Sequence, residues 1–75
     1  MLKLENIRII NGVISCNVIG TDCNMTIQVP TANWDKLECS DKSNIMYACI
    51  ARNKLYRLYI ENNGKLPENT AVIWG

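Results

Sequence analysis

Residues 4–29, LENIRIINGVISCNVIGTDCNMTIQV, decide the fold of this 75-residue chain. Asn11-Gly12 stands between alternating apolar residues, which is the strongest short-range signal of a two-residue β-hairpin turn. The turn sets a register that pairs Ile10 with Val13, Ile9 with Ile14, Ile7 with Cys16 and Glu5 with Val18. One face then collects Ile7, Ile9, Ile14, Cys16 and Val18, and the other collects Asn6, Arg8, Ser15 and Asn17. This separation predicts an antiparallel pair with one buried face.

A third strand continues the same apolar face. A four-residue loop over 20–23 predicts the pairs Val18 with Met25, Cys16 with Ile27 and Ile14 with Val29. On the opposite face it pairs Asn17 with Thr26 and Ser15 with Gln28. The buried face therefore carries on without a slip of register, and residues 4–29 are predicted to form a three-stranded meander.

The segment after the meander is predicted to hold a short helix. Pro30 cannot donate a ladder hydrogen bond and ends the third strand. Thr31 is then a helix N-cap for residues 32–38, with Trp34 and Leu37 on one face, where they plug one end of the sheet. A polar loop over 39–43 follows.

Residues 44–61 are predicted to form a second hairpin, with a turn at Arg52-Asn53. One predicted face carries Ile45, Tyr47, Cys49, Tyr56, Leu58 and Ile60. The other carries Met46, Ala48, Ile50, Leu55, Arg57 and Tyr59. Both faces are largely apolar, so this hairpin must be covered twice. The meander covers one face, and the helix, the C-terminal segment or a second copy of the chain covers the other.

The C-terminal part supplies a second hairpin signal and a last strand. Asn63-Gly64 is the signal, Pro67 interrupts any simple ladder, and residues 70–74 are predicted to pair across the sheet and close a barrel. The sequence thus predicts one domain, mainly β with one short helix, as a small α+β barrel or sandwich. The element order over residues 4–61 resembles the OB-fold. That resemblance implies oligonucleotide or sugar binding on strands two and three, where the outward residues are Ser15, Asn17, Thr26 and Gln28.

The residue types present argue against catalysis. The chain has no histidine, which removes the commonest general base and metal ligand. It has no glycine-rich phosphate loop. The four cysteines, at 16, 23, 39 and 49, have no Cys-x-x-Cys spacing, so no zinc site is predicted. We expect a protein that is not an enzyme, with no cofactor and no metal.

The predicted location is the cytoplasm. Residues 1–6 carry charges where a signal peptide would need an apolar core, and reduced cysteines fit a cytosolic protein. No apolar run approaches the length of a membrane span. The many Asn and Ile residues and the absence of Phe fit an AT-rich genome, such as that of a phage.

Residues 42–60 contain four basic residues and no acid, although the net charge of the chain is only +1. The excess of positive charge and of apolar surface in this segment predicts a partner-binding site at Met46, Ile50, Arg52, Lys54, Arg57 and Tyr59. The first hypothesis is a protein-interaction module of phage or mobile-element origin that binds another protein or itself as a homodimer. The second is a nucleic-acid binder that uses Arg52, Lys54, Arg57 and Tyr59. The third is a small-molecule sponge.

Overall fold

One open antiparallel sheet and one helix make up the structure, a computed structural model that describes residues 1–73. The strands are β1 (Leu2–Ile10), β2 (Val13–Gly20), β3 (Cys23–Pro30), β4 (Glu38–Cys39) and β5 (Thr70–Val72). They lie side by side in the order β4-β3-β2-β1-β5. The helix α1 (Ile45–Glu61) follows a single 3-10 turn at Lys42–Asn44. The predicted fold class, mainly β with one helix, is confirmed, although the helix lies elsewhere in the chain.

The predicted meander is confirmed, and β2 and β3 pair in the predicted register. Val18 lies opposite Met25, and the remaining predicted pairs follow in step. Gly20 pairs with Cys23, so the loop has two residues and not four. At the first turn, Asn11 has φ 52° and Gly12 has φ 75°, as a type I′ turn requires. The turn residues and the apolar alternation were together enough to predict the pairing of β2 with β3.

The predicted pairing of Glu5 with Val18 is wrong, because β1 contains a bulge. Leu4 pairs with Val18, and the register shifts between Glu5 and Arg8. Asn6 stands at the shift in the left-handed region, with φ 54°. The extra residue puts even-numbered Leu2 and Leu4 on the same buried face as odd-numbered Ile7.

The predicted hairpin over 44–61 is wrong, because residues 45–61 form the helix α1. The predicted turn residues, Arg52 and Asn53, lie within it. The segment contains no Gly or Pro and is much longer than a typical strand, so its length favours a helix. Apolar residues occur on most sides of this helix, which is why a two-residue period also appeared to fit.

The predicted helix over 32–38 is wrong as well, because this segment makes two successive turns. The Asn33 N–H donates to the Pro30 carbonyl, and the Lys36 N–H donates to the Asn33 carbonyl, both at 3.1 Å. Thr31 does not cap a helix, because its N–H and its hydroxyl both donate to the Gly12 carbonyl. Trp34 nevertheless packs partly buried against the core, as predicted.

Asn63-Gly64, predicted as a hairpin turn, ends α1 instead. Both residues have positive φ, and the Gly64 N–H donates to the Tyr59 carbonyl at 2.8 Å. The same backbone preference suits a helix terminus and a hairpin. The sequence alone did not distinguish a helix end from a hairpin turn at Asn63-Gly64.

The last strand pairs with β1, Leu2 lying opposite Val72. The strand ends at Val72, and Trp74, part of the predicted strand, lies outside the described residues. Within residues 1–73 the sheet stays open between β4 and β5, so the predicted barrel does not form. Because α1 follows β4, the OB-like element order is not observed either.

The core lies between one face of the sheet and α1. Its buried members are Leu2, Leu4, Ile7, Ile14, Cys16, Val18, Cys23, Met25, Ile27, Val29, Ala48, Ala51 and Leu55. None of the buried residues in the described range is polar or charged. No helix in residues 1–73 has the length and apolar character needed to cross a membrane.

Candidate docking surface on the helix

Asp41 begins the helical segment from which the candidate surface is built. Its carboxylate accepts hydrogen bonds from the Ser43 N–H at 3.1 Å, the Ser43 hydroxyl at 2.6 Å and the Asn44 side-chain amide at 2.7 Å. These bonds lower the pKa of the Asp41 carboxyl, since they favour its charged form. Asp41 thus fixes where the chain turns from β4 into α1.

The inner face of α1 is narrow and consists mostly of small residues. Ala48, Ala51 and Leu55 are fully buried against the sheet. Two of the three are alanines, so the helix backbone can lie close to the strands. The inner face accounts for the packing of α1 on the sheet, and it leaves the opposite side of the helix uncovered by the described residues.

A line of side chains runs along that opposite side, which we call the outer seam: Met46, Cys49, Asn53, Tyr56 and Ile60. Steps of three and four residues place them on one side of a helix. Met46 is 72% exposed, Ile60 58% and Tyr56 48%. Ile45 stands beside the seam and is 47% exposed. Large apolar side chains therefore reach solvent in the first turn of α1 and again between Tyr56 and Ile60.

One flank of the seam is held by the turns that follow β3. The Trp34 ring meets the Tyr56 ring edge-on, with centroids 5.1 Å apart, and the Tyr59 ring at 5.5 Å. The Arg52 guanidinium donates to the Trp34 carbonyl at 3.4 Å. These contacts fix the orientation of Tyr56, so the apolar seam is partly preorganised.

The centre of the seam is polar and is oriented by Arg52. The Asn53 side-chain oxygen accepts from Nε of Arg52 at 3.3 Å and from Nη2 at 3.2 Å. Within the described residues the Asn53 side-chain amide group donates no hydrogen bond. The amide nitrogen at the middle of the exposed face is therefore available to a partner.

The predicted partner-binding residues do not form one patch. Met46 and Arg57 lie on the exposed side of α1, whereas Ile50 packs partly buried against the core. Lys54 is partly buried at the edge of the exposed side. Arg52 and Tyr59 lie on the flank that contacts Trp34.

The basic residues proposed for nucleic-acid binding are separated in the same way. Nε of Arg57 lies 4.0 Å from Oε1 of Glu61, an exposed pair one helical turn apart. Arg52 is turned back towards Trp34, and Tyr59 packs against that ring instead of facing solvent as a stacking platform. Within residues 1–73, therefore, the proposed basic residues and Tyr59 do not form a continuous groove of positive charge and open aromatic rings.

Sequence reasoning missed Cys49, Asn53, Tyr56 and Ile60 as surface residues of one seam. The hairpin prediction placed Cys49, Tyr56 and Ile60 on a buried face and put Asn53 in a turn. A usable signal was present, because Met46, Asn53 and Ile60 are spaced seven apart. A repeat of seven residues is typical of paired α-helices and not of β-strands.

The four cysteines are free thiols. Burial raises the pKa of Cys16 to about 12. Burial also raises the pKa of Cys23, and the nearby Asp41 carboxylate and Cys39 add to that rise. A high pKa leaves little thiolate, which is the reactive form. In the described part of the chain no three side chains of His, Cys, Asp or Glu lie together as a metal site.

The surface also contains an open hollow of about 480 Å³ where β4 meets the start of α1. It is lined by Leu37, Glu38, Cys39, Lys42 and Ile45. The hollow is open to solvent. It offers a small molecule little of the enclosure that ligand sites provide.

Comparison of the chain with protein-family models, with curated proteins and with solved structures finds no match. The function must therefore be inferred from the outer seam itself.

Proposed function

We propose that this protein is a small, non-catalytic protein-interaction module that binds through the outer seam of α1. The observation that carries the proposal is the exposure of Met46, Tyr56 and Ile60 along one face of a helix that is already packed on its other side. Exposed apolar side chains that share one face of a helix can form an interaction site. The partner we propose is a protein helix with its own apolar stripe, because a long narrow seam fits that shape.

The energetics favour occupation of the seam. Full burial of a side chain the size of Met or Ile is worth about 1.5–3 kcal/mol, and these side chains still have half or more of that surface to bury. Ala48, Ala51 and Leu55 pack α1 against the sheet. The exposed surface of Met46 and Ile60 takes no part in that packing. The remaining apolar area is thus available for binding.

The charges around the seam also suit a protein partner. Arg57 and Glu61 stand as an exposed pair of opposite sign at its C-terminal end. Charged residues at the edge of an apolar surface are common in protein interfaces. We place the module in the cytoplasm, where its four free thiols would stay reduced.

Site-specific photo-crosslinking tests the proposal. A photoreactive amino acid is introduced in place of Asn53, at the centre of the seam, and the protein is irradiated in cells of its native host. The matched control replaces Asn24, an exposed residue of the same type on the outer face of β3. We expect a discrete protein adduct from position 53 and none from position 24.

The adducts are identified by mass spectrometry, and a second copy of the chain counts as a protein partner. A variant that combines the crosslinker with Met46→Lys should lose the adduct, because a charge then stands in the apolar seam. Absence of an adduct at position 53, or equal adducts at 53 and 24, would contradict the proposal.

A further inference from the structure

Positive charge borders the outer seam on both sides. Arg52 and Lys54 stand immediately before and after Asn53, so each lies about 100° around the helix axis from it, in opposite directions. Arg57 lies four residues after Asn53, on the side of Lys54. Glu61 is the one acid of α1, and it stands at the C-terminal end of the helix. The middle of the exposed helix face therefore carries cations and no acid.

Most of this charge is not neutralised by the described residues. The one ion pair in residues 1–73 joins Nε of Arg57 to Oε1 of Glu61 at 4.0 Å, and both side chains are more than half exposed. Arg52 and Lys54 form no ion pair in that range. Asp35, exposed in the turns after β3, pairs with neither of them. An exposed pair such as that of Arg57 is weak, so all three cations can bind a carboxylate from another molecule.

The Arg52 guanidinium is the best placed of the three cations. Its Nε and Nη2 donate to the Asn53 side-chain oxygen, and its Nη1 donates to the Trp34 carbonyl. A guanidinium has five N–H groups and three donate here, so two have no acceptor in residues 1–73. The three bonds hold this half-buried side chain at the edge of the seam. A carboxylate that reaches it meets donors that are already in position.

From this charge pattern we infer that the partner of the outer seam is an amphipathic protein helix with aspartate or glutamate residues on both sides of its apolar stripe. The inference rests on the proposed function, because it uses the same surface, and it goes beyond that function by stating the charge of the partner. Complementary charge across an interface speeds association and excludes partners of the wrong sign.

A nucleic acid would match only part of this surface. Its phosphates would pair with the cations, but they would leave the apolar side chains of Met46 and Ile60 in water. A helix with an apolar stripe and acidic flanks covers those side chains and pairs with the cations at the same time. The acidic helix is therefore the occupant that the observations favour.

Selection from a library of displayed helices tests the inference on the purified protein. Each member of the library is as long as α1 and has a fixed apolar stripe, while the positions on either side of the stripe are random. An exposed pair of opposite charges is worth up to about fivefold in affinity. We therefore expect Asp and Glu to be enriched about threefold at these positions after selection on the wild type.

Two variants with the same change in net charge separate local from overall attraction. Lys54→Glu with Arg57→Glu reverses the charge on one side of the seam, and selection on it should enrich Lys and Arg at the positions that face that side. Lys3→Glu with Arg8→Glu makes the same change on the outer face of β1, where both residues are exposed, and should select the same acidic helices as the wild type. Circular dichroism must show the helix and the thermal transition intact in both variants.

Two results of the selection would overturn the inference: no enrichment of acids on the wild type, or the same enrichment on the variant with Lys54→Glu and Arg57→Glu. A labelled single-stranded oligonucleotide is a further probe. If it binds the wild type more tightly than the selected helices do at about 0.1 M salt, the partner is a nucleic acid and the inference fails.

The photo-crosslink at position 53 keeps this outcome separate from that of the proposed function. If the selection enriches no acids while position 53 still gives a protein adduct, the inference fails and the proposed function stands. If no adduct forms at position 53, both fail, whatever the selection shows. We expect the crosslinked segment of the partner to carry Asp or Glu beside its apolar residues, and a segment flanked by Lys or Arg overturns the inference.

Discussion

Replacement of Asn6 by valine should destabilise the fold, because Asn6 forms the bulge in β1. Asn6 has φ 54°, a conformation that costs an ordinary L-residue roughly 1–2 kcal/mol and a β-branched residue more. Asn tolerates it well. The chain has no easy way to avoid this cost, because straightening β1 would turn Leu2 and Leu4 towards solvent. Both are essentially fully buried, and exposing each costs about 1.5–3 kcal/mol.

We therefore expect Asn6→Val to lower the free energy of unfolding by about 2 kcal/mol. For a domain of this size that corresponds to a fall in Tm of roughly 8–16 °C. Asn6→Gly is the matched comparison, because glycine adopts positive φ readily, and it should remain within about 0.5 kcal/mol of the wild type. Thermal and urea denaturation followed by circular dichroism measure both values.

Asn6→Val as stable as the wild type would refute this expectation, and so would Asn6→Gly as the less stable of the two variants. Either result would mean that the left-handed conformation of Asn6 does not hold the register of β1.

Three further predictions concern the core, an acid and the thiols. Leu55→Ala should lower the free energy of unfolding by about 2–5 kcal/mol in urea denaturation, because it empties the main contact of α1 with the sheet, whereas Asn53→Ala should cost far less. The pKa of Asp41 is lowered in the folded state, so its contribution to stability is present above the unfolded value of about 3.9 and is lost as pH falls through the lower folded value. Unfolding followed from pH 6 to about pH 2 should show this loss in the wild type and not in Asp41→Asn, and equal slopes would contradict the assignment. Ellman's reagent near pH 8 should react with Cys49 well before Cys16, whose pKa is raised to about 12 by burial, and the difference should vanish in urea.

The meander could be predicted from sequence because its signals are local. A turn at Asn11-Gly12 and alternation over three strands specify which residues face inward. The bulge at Asn6 was the exception. Its stabilisation comes partly from the distant segment that includes Glu68 and Asn69, and no neighbour of Asn6 in sequence indicates it.

The helix could not be derived from alternation alone. Residues 45–61 contain several β-branched and aromatic residues, and apolar side chains occur at almost every angle around the axis. The features that favour a helix over a hairpin here are the unbroken length of the segment, the hydrogen bonds that the Asp41 carboxylate accepts at its start, and the small residues Ala48 and Ala51. The seam became visible only after the helix was known, because the same residues occupy other positions in a hairpin.

The bulge in β1 also ties the two ends of the described chain into one folding event. It leaves the Ile7 N–H pointing away from β2, and that donor is satisfied only by the Glu68 carbonyl, at 2.9 Å, among the described residues. The Asn6 N–H likewise donates to the Asn69 side chain. The meander can form early from local contacts, whereas the closing contacts with residues 68–72 join distant parts of the chain and come at a larger entropic cost. Until they form, a hydrogen-bond donor of the sheet stays dependent on water, so the first strand acquires its full protection from hydrogen exchange only when the last one docks.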